Sequence, residues 1–109
     1  MDIFKSKKNP VYEIYNQLVA LSSTKGAKSS KDQCFWIESS LDNKKAYVKV
    51  ISKQEKIKKL LDFQMKLEDL LIEYANQKND VNIKNLYYID ESLKIIDELL
   101  SQLLKEQNQ

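Results

Sequence analysis

The sequence predicts a mainly helical fold, a small bundle built on an antiparallel pair of helices. Two long segments, at about 53–78 and 82–106, carry apolar residues in alternating steps of three and four, which is the spacing of one helix face. The chain contains one Gly and one Pro, so few positions interrupt a helix. Its 109 residues, 42% of them hydrophobic, fit one domain around one core, expected at 10–106 with a tail at 107–109.

A shorter helix is expected at 10–21, after a flexible basic arm at residues 1–9. Pro10 suits the first turn of a helix, where the missing N–H would have no partner. Val11, Ile14, Tyr15, Leu18 and Leu21 then recur at helical spacing. Residues 22–32 hold the only Gly and almost no apolar side chain, so they predict a polar loop.

The segment 33–52 fits two structures. Aromatic and β-branched residues at 34–39 and 46–51 indicate two strands, with SLDNK as the turn of a hairpin. Read as a helix, the segment follows a capping-box pattern at Ser30 and Gln33, and Tyr47, Val50 and Ile51 lie on one stripe. We expect a helix here, and the alternative is an α+β fold with a β-hairpin at about 33–51.

The two long helices should fold back on each other, because only the short polar run NQKND at 76–80 separates them. Their apolar faces are wider than one helix pair can cover, so they need the rest of the chain or a second copy. We therefore expect a homo-oligomer, with a dimer favoured. The predicted helix–helix or oligomer interface consists of Ile57, Leu60, Leu67, Leu71, Leu86, Leu93, Ile96, Leu100 and Leu103.

The residue types that are missing exclude several classes of chemistry. The chain has no His, one Cys and one Gly, and all 18 basic residues are Lys. Catalytic triads, zinc sites of Cys and His, an internal disulfide and glycine-rich phosphate loops are therefore excluded. The sequence predicts a protein that is not an enzyme, with no catalytic, cofactor-binding or metal site. The absence of Arg is typical of an AT-rich genome and also argues against sequence-specific DNA readout.

Charge is distributed unequally along the chain. Residues 1–59 carry 13 Lys and six acidic residues, whereas residues 60–109 carry five Lys and ten acidic residues, so a net charge of +2 hides halves of +7 and −5. A solvated, mutually complementary surface is the simplest interpretation. The basic half also predicts a surface for an anion, a nucleic acid or an acidic protein partner. The residues of that surface are Lys44, Lys45, Lys49, Lys53, Lys56, Lys58 and Lys59.

The aromatic residues of the basic half, Phe35, Trp36 and Tyr47, could form a stacking platform for bases, but core packing is the favoured role. No apolar run approaches the roughly 20 residues of a membrane span, and we expect a cytoplasmic protein without a membrane partner.

The main functional hypothesis is a non-enzymatic protein–protein interaction module, an adaptor, chaperone or small inhibitor with a protein partner. It would act through helix faces and a charge-polarised surface. The alternative is binding of nucleic acid or an anionic ligand through the Lys-rich surface at 44–59. A weaker alternative is an inhibitor of a host complex encoded by a virus or mobile element.

Overall fold

The computed structural model describes residues 9–23, 33–40, 45–77 and 79–107. Along the chain these residues form α1 (Pro10–Ser23), β1 (Gln33–Ser40), β2 (Lys45–Ser52), α2 (Lys53–Asn76) and α3 (Asp80–Gln107). The prediction of a mainly helical fold is confirmed, and a small two-stranded sheet accompanies the helices. Residues 1–8 of the predicted arm, 24–32 of the predicted loop and 108–109 of the predicted tail lie outside the described residues.

Helix α1 begins at an asparagine cap. The side-chain Oδ1 of Asn9 accepts hydrogen bonds from the backbone N–H groups of Val11 and Tyr12, at 3.1 and 3.3 Å. These bonds satisfy N–H groups that have no partner within the helix. The predicted apolar face is buried except for Tyr15, which is half-buried, and the helix runs two residues beyond the predicted end, to Ser23.

The preference for a helix at 33–52 is wrong, and the β-hairpin is the correct alternative. β1 and β2 pair antiparallel, from Gln33 opposite Ser52 to Ser40 opposite Lys45. The physical reason is that aromatic and β-branched side chains pack well on a pleated strand pair. The stripe of Tyr47, Val50 and Ile51 that favoured a helix does not continue into α2 as one helix. The backbone of Ser52, between β2 and α2, is extended at φ −75° and ψ 160°.

Helices α2 and α3 form the predicted antiparallel hairpin. Ser52 caps α2, because its Oγ accepts a hydrogen bond from the backbone N–H of Glu55 at 3.1 Å. Asn79 caps α3 in the same way, through a 2.9 Å bond from the N–H of Asn82. The side-chain Nδ2 of Asn82 also donates a hydrogen bond to the backbone carbonyl of Gln77 at 2.6 Å. This side chain thus ties the start of α3 to the end of α2.

The core lies where the helix pair meets the other elements. α1 packs mainly on α3, while β1 contacts both α1 and α2. The Trp36 ring is buried, with its centroid 5.7 Å from that of Phe63 on α2. The favoured prediction of core packing is thereby confirmed for Trp36, but it is wrong for Tyr47, which is exposed on β2. The buried apolar residues are Val11, Ile14, Leu18, Leu21, Trp36, Ile37, Ile51, Leu60, Leu67, Ile89, Ile96, Leu99 and Leu103.

Candidate protein-binding surfaces

The lysines of the predicted basic surface do not share one environment. The prediction that Lys56 belongs to this surface is wrong, because the residue is only 8% exposed and lies on the inner face of α2. The Lys59 ammonium lies 5.7 Å from the centroid of the Trp36 ring and 4.0 Å from Glu55 Oε2. Lysine side chains commonly bury their aliphatic stem while the ammonium group remains in water.

The other lysines of that surface differ in exposure. Lys49 and Lys58 are exposed, and Lys53 is half-buried. Lys45 lies in β2, whereas Lys44 lies outside the described residues. The predicted stacking platform is also reduced, because the burial of Trp36 leaves Tyr47 exposed and Phe35 half-buried. The described residues therefore present a smaller cationic and aromatic surface than the sequence predicted.

The predicted helix–helix interface lies largely inside the chain. Leu60, Leu67, Ile96 and Leu103 are buried in the core. Four further residues are half-buried, and they are Ile57, Leu86, Leu93 and Leu100. Leu71 is the exposed member of the predicted set. The predicted residues thus serve mainly to pack the helices of one chain together.

A different apolar stripe is exposed on α2. Leu61, Met65 and Ile72 are spaced by four and seven residues, so they lie within about 40° of one another around the helix axis. Met65 and Ile72 are each 64% exposed. We call these three residues the α2 outer stripe. The sequence signal for it was present, because this spacing marks a second apolar face beside the buried one.

Four tyrosines from α1 and α3 form a continuous surface cluster. The Tyr88 ring lies at the centre, with its centroid 5.2 Å from that of Tyr12, 5.0 Å from that of Tyr15 and 5.7 Å from that of Tyr87. Tyr12 and Tyr87 are exposed, while Tyr15 and Tyr88 are half-buried. We call these residues the tyrosine cluster.

The position of the tyrosine cluster follows from the start of α1. Asn9 caps the helix, and its Nδ2 also donates a 2.9 Å hydrogen bond to Oδ1 of the buried Asn85 on α3. This bond holds the first turn of α1 against α3, and Tyr12 and Tyr15 lie in the first two turns. The cluster joins residues more than 70 positions apart in sequence, so helical periodicity alone could not reveal it.

Charges near the tyrosine cluster are partly compensated. Lys94 lies 3.3 Å from Asp90 Oδ2 and 3.4 Å from Glu91 Oε2, about two turns after Tyr87 and Tyr88. Hydrogen bonds to Asp90 and Glu91, together with their negative charge, raise the pKa of Lys94 above its usual value. The ammonium therefore stays protonated and offsets the two carboxylates beside the cluster.

The second strand of the hairpin forms the third exposed surface. Tyr47, Val48, Lys49 and Val50 are consecutive and all exposed. We call these four residues the β2 edge. In the sheet formed by the described residues, β2 pairs with β1 and with no other strand. Large aliphatic side chains and an open strand edge therefore occur at the same place.

The part of the chain that the structure describes contains no cluster of metal-ligating side chains. Among residues 9–23, 33–40, 45–77 and 79–107, no three or more Cys, Asp or Glu side chains are grouped so that they could hold a metal ion. Cys34 is a half-buried free thiol on β1. Within the same residues, no helix combines the length and the apolar character needed to cross a membrane.

Comparisons with protein-family models, with curated proteins and with solved structures found no match to this chain.

Proposed function

We propose that this protein is a non-enzymatic protein-binding module, an adaptor or small inhibitor, and that the tyrosine cluster is its main contact surface. The observation that carries the proposal is the exposure of Tyr12 and Tyr87 beside two further tyrosine rings. Tyrosine is enriched at the energetic centres of protein interfaces, because its ring buries much apolar area and its hydroxyl can form a hydrogen bond. The lack of His and of glycine-rich loops supports a role without catalysis.

The cluster has features that suit a binding surface. Tyr88 is held by ring contacts on three sides, so little side-chain freedom remains to be lost on binding. Tyr12 and Tyr87 lie at the periphery of the cluster, where a partner can reach them. The ion pairs of Lys94 with Asp90 and Glu91 form a polar border one to two turns away. An aromatic centre with a polar rim is the usual anatomy of a protein interface.

A photo-crosslinking experiment tests this proposal. Benzoylphenylalanine replaces Tyr87 in cells that produce the protein naturally, and the matched control carries it at Gln54, an exposed position on α2. We expect a specific crosslinked protein from position 87 that is absent at position 54. The crosslink should fall when Tyr12 is also replaced by Ala, because truncating an interface tyrosine weakens binding by about fivefold to thirtyfold. Equal crosslinking at both positions, or none at position 87, would contradict the proposal.

Self-association is a second candidate, favoured by the α2 outer stripe. Residues 61, 65, 68 and 72 are separated by four, three and four residues, so their pattern is identical when the helix is read in the opposite direction. An antiparallel second copy can therefore place Leu61 opposite the Ile72 position and Met65 opposite the Glu68 position. Covering Met65 and Ile72 removes apolar surface from water, which favours association in proportion to the area covered.

Sedimentation equilibrium over a concentration series tests self-association through this stripe. We expect a reversible dimer, and we expect the variant M65Q/I72Q to dissociate at least about tenfold more readily, because two apolar contacts per copy are lost. The control Q54E changes an exposed residue on the same helix and should leave the dimer unchanged. A protein that remains monomeric at all concentrations, or a dimer unaffected by M65Q/I72Q, would remove this candidate.

A further inference from the structure

The two strands of the hairpin differ in what covers them. In β1, Trp36 and Ile37 are buried, and the side-chain amide of Gln17 on α1 donates a hydrogen bond to the carbonyl of Ile37. In β2, the four residues of the β2 edge are exposed. Helix α1 contacts β1 and does not contact β2. Among the described residues, β1 is therefore the protected strand, and β2 is open at Tyr47 to Val50.

The open strand offers backbone hydrogen-bonding groups as well as apolar side chains. In an antiparallel pair, alternate residues turn their N–H and C=O groups away from the partner strand. For Tyr47 to Val50, no hydrogen bond other than the pairing with β1 is made to any described residue. Such an edge can accept an extended segment as a further strand, which is the binding mode called β-augmentation.

Charge indicates which kind of segment fits this edge. Lys49 and Lys58 are exposed in the part of 45–59 whose side chains the structure describes, whereas Lys56 is buried and Lys59 lies 4.0 Å from Glu55. Lys49 is exposed in the centre of the β2 edge, and no carboxylate of the described residues pairs with it. A second copy would bring the same excess of positive charge to the edge, whereas an acidic segment would neutralise it. Opposite charges on neighbouring strands stabilise their pairing, and like charges destabilise it.

The side chains of the edge also favour a peptide over a nucleic acid. Single-stranded nucleic acids bind on aromatic side chains that stack with the bases. Trp36, the largest aromatic residue of the hairpin, is buried, and the edge presents Val48 and Val50 beside the single aromatic ring of Tyr47. Two valines at alternate positions lie on the same face of the strand, where they match aliphatic residues at alternate positions of an added strand.

We propose that the β2 edge binds an extended segment of a partner protein in which aliphatic and acidic residues alternate, and that this segment adds as a third strand beside β2. Backbone hydrogen bonds supply the geometry, Val48 and Val50 contact the aliphatic residues, and Lys49 attracts the acidic residues. This site shares no residue with the tyrosine cluster, so it defines a second contact surface on the same molecule.

A titration with a defined peptide tests the inference. The probe is a capped peptide of alternating valine and glutamate, eight residues long like β2, and binding to the full chain is followed by fluorescence anisotropy. We expect saturable binding that weakens as salt is added. The matched peptide of alternating valine and lysine should bind at least about fivefold more weakly, because each cross-strand charge pair reverses sign. Equal binding of the two peptides would overturn the charge argument.

Methylation of the peptide backbone separates strand addition from simple attraction between charges. Two further probes carry N-methyl groups on alternate amides, one on the odd and one on the even positions. Only one of these sets faces β2 in an added strand. We expect one probe to lose binding and the other to retain it within about twofold. Equal effects of the two methylation patterns would overturn strand addition.

Variants of the chain locate the site and exclude the other occupants. K49E should weaken the valine–glutamate probe by about fivefold, whereas K84E, at an exposed position on α3, should leave it unchanged. If an eight-nucleotide oligothymidylate displaced the probe at a lower concentration than the unlabelled peptide requires, the inference would be overturned in favour of nucleic acid. Dimerisation of the protein that is lost on replacing Val48 with Lys would overturn it in favour of a second copy.

Discussion

The strands β1 and β2 have the same length and similar apolar content, yet the middle of β1 is buried at Trp36 and Ile37 whereas Tyr47 to Val50 of β2 are exposed. Ile37 and Val48 are directly opposite each other in the strand register and are both β-branched aliphatic residues. Ile37 is 6% exposed, whereas Val48 is 55% exposed. The difference arises from the neighbours, because among the described elements β1 contacts both α1 and α2, whereas β2 contacts β1 and α2 but not α1.

The comparison shows that the apolar composition of a strand does not by itself determine its burial. Its position relative to the helices does. An apolar residue on β1 contributes to the core and therefore to folding. An apolar residue on the open side of β2 gains little from folding, so its presence there needs another explanation, such as a binding partner. A two-stranded hairpin is marginally stable alone, and here the packing of β1 against the helices holds β2 in place.

The strongest test of this comparison uses the opposed pair Ile37 and Val48. Ile37→Ala should lower the free energy of unfolding by about 2 to 4 kcal/mol, because it removes buried apolar volume and leaves a cavity. Val48→Ala should lower it by less than about 1 kcal/mol, since water already contacts most of the side chain. Both values can be obtained from urea unfolding of the purified variants followed by circular dichroism.

Each variant is the control for the other, because the two residues share one register position and one substitution. Similar losses for I37A and V48A would show that both strands contribute equally to the core. A large loss for V48A alone would show that the open strand is covered in solution. Either result would contradict the contrast between the strands.

The sequence was sufficient for the helices and insufficient for the hairpin, and the reason is the length of the repeating pattern. The apolar faces of α2 and α3 repeat over 24 and 28 residues, so their period is unambiguous. Each strand has eight residues, and Tyr47, Val50 and Ile51 fit a helix stripe as well as a strand. The contact between Trp36 and Phe63, which packs the hairpin against α2, joins residues distant in sequence.

The candidate surfaces were harder to predict than the fold, for the same reason. The lysines at 44–59 were grouped by their proximity in sequence, but α2 turns Lys56 inward while Lys58 remains exposed. The tyrosine cluster depends on the docking of α1 on α3, which places Tyr12 beside Tyr88. Only the α2 outer stripe is local, and its spacing could have been recognised from the sequence.

The smallest expected effect concerns the hydrogen bond that Gln17 donates to β1. Gln17→Ala removes the donor to the Ile37 carbonyl, and we expect the free energy of unfolding to fall by about 1 kcal/mol, the usual net value of such a bond. Alanine has a higher helix propensity than glutamine, and this difference would mask part of the lost stability. The control Q54A makes the same change at an exposed position of α2 and measures that helix contribution alone.

The difference between Q17A and Q54A in urea unfolding therefore reports the hydrogen bond to the protected strand. Hydrogen exchange provides a second readout, because loosening β1 from α1 should speed exchange of the hairpin amides more than that of the α3 amides. If the two variants have equal stability and hairpin exchange is unchanged, Gln17 does not secure β1. The burial of Trp36 and Ile37 would then be the sole cause of the asymmetry between the strands.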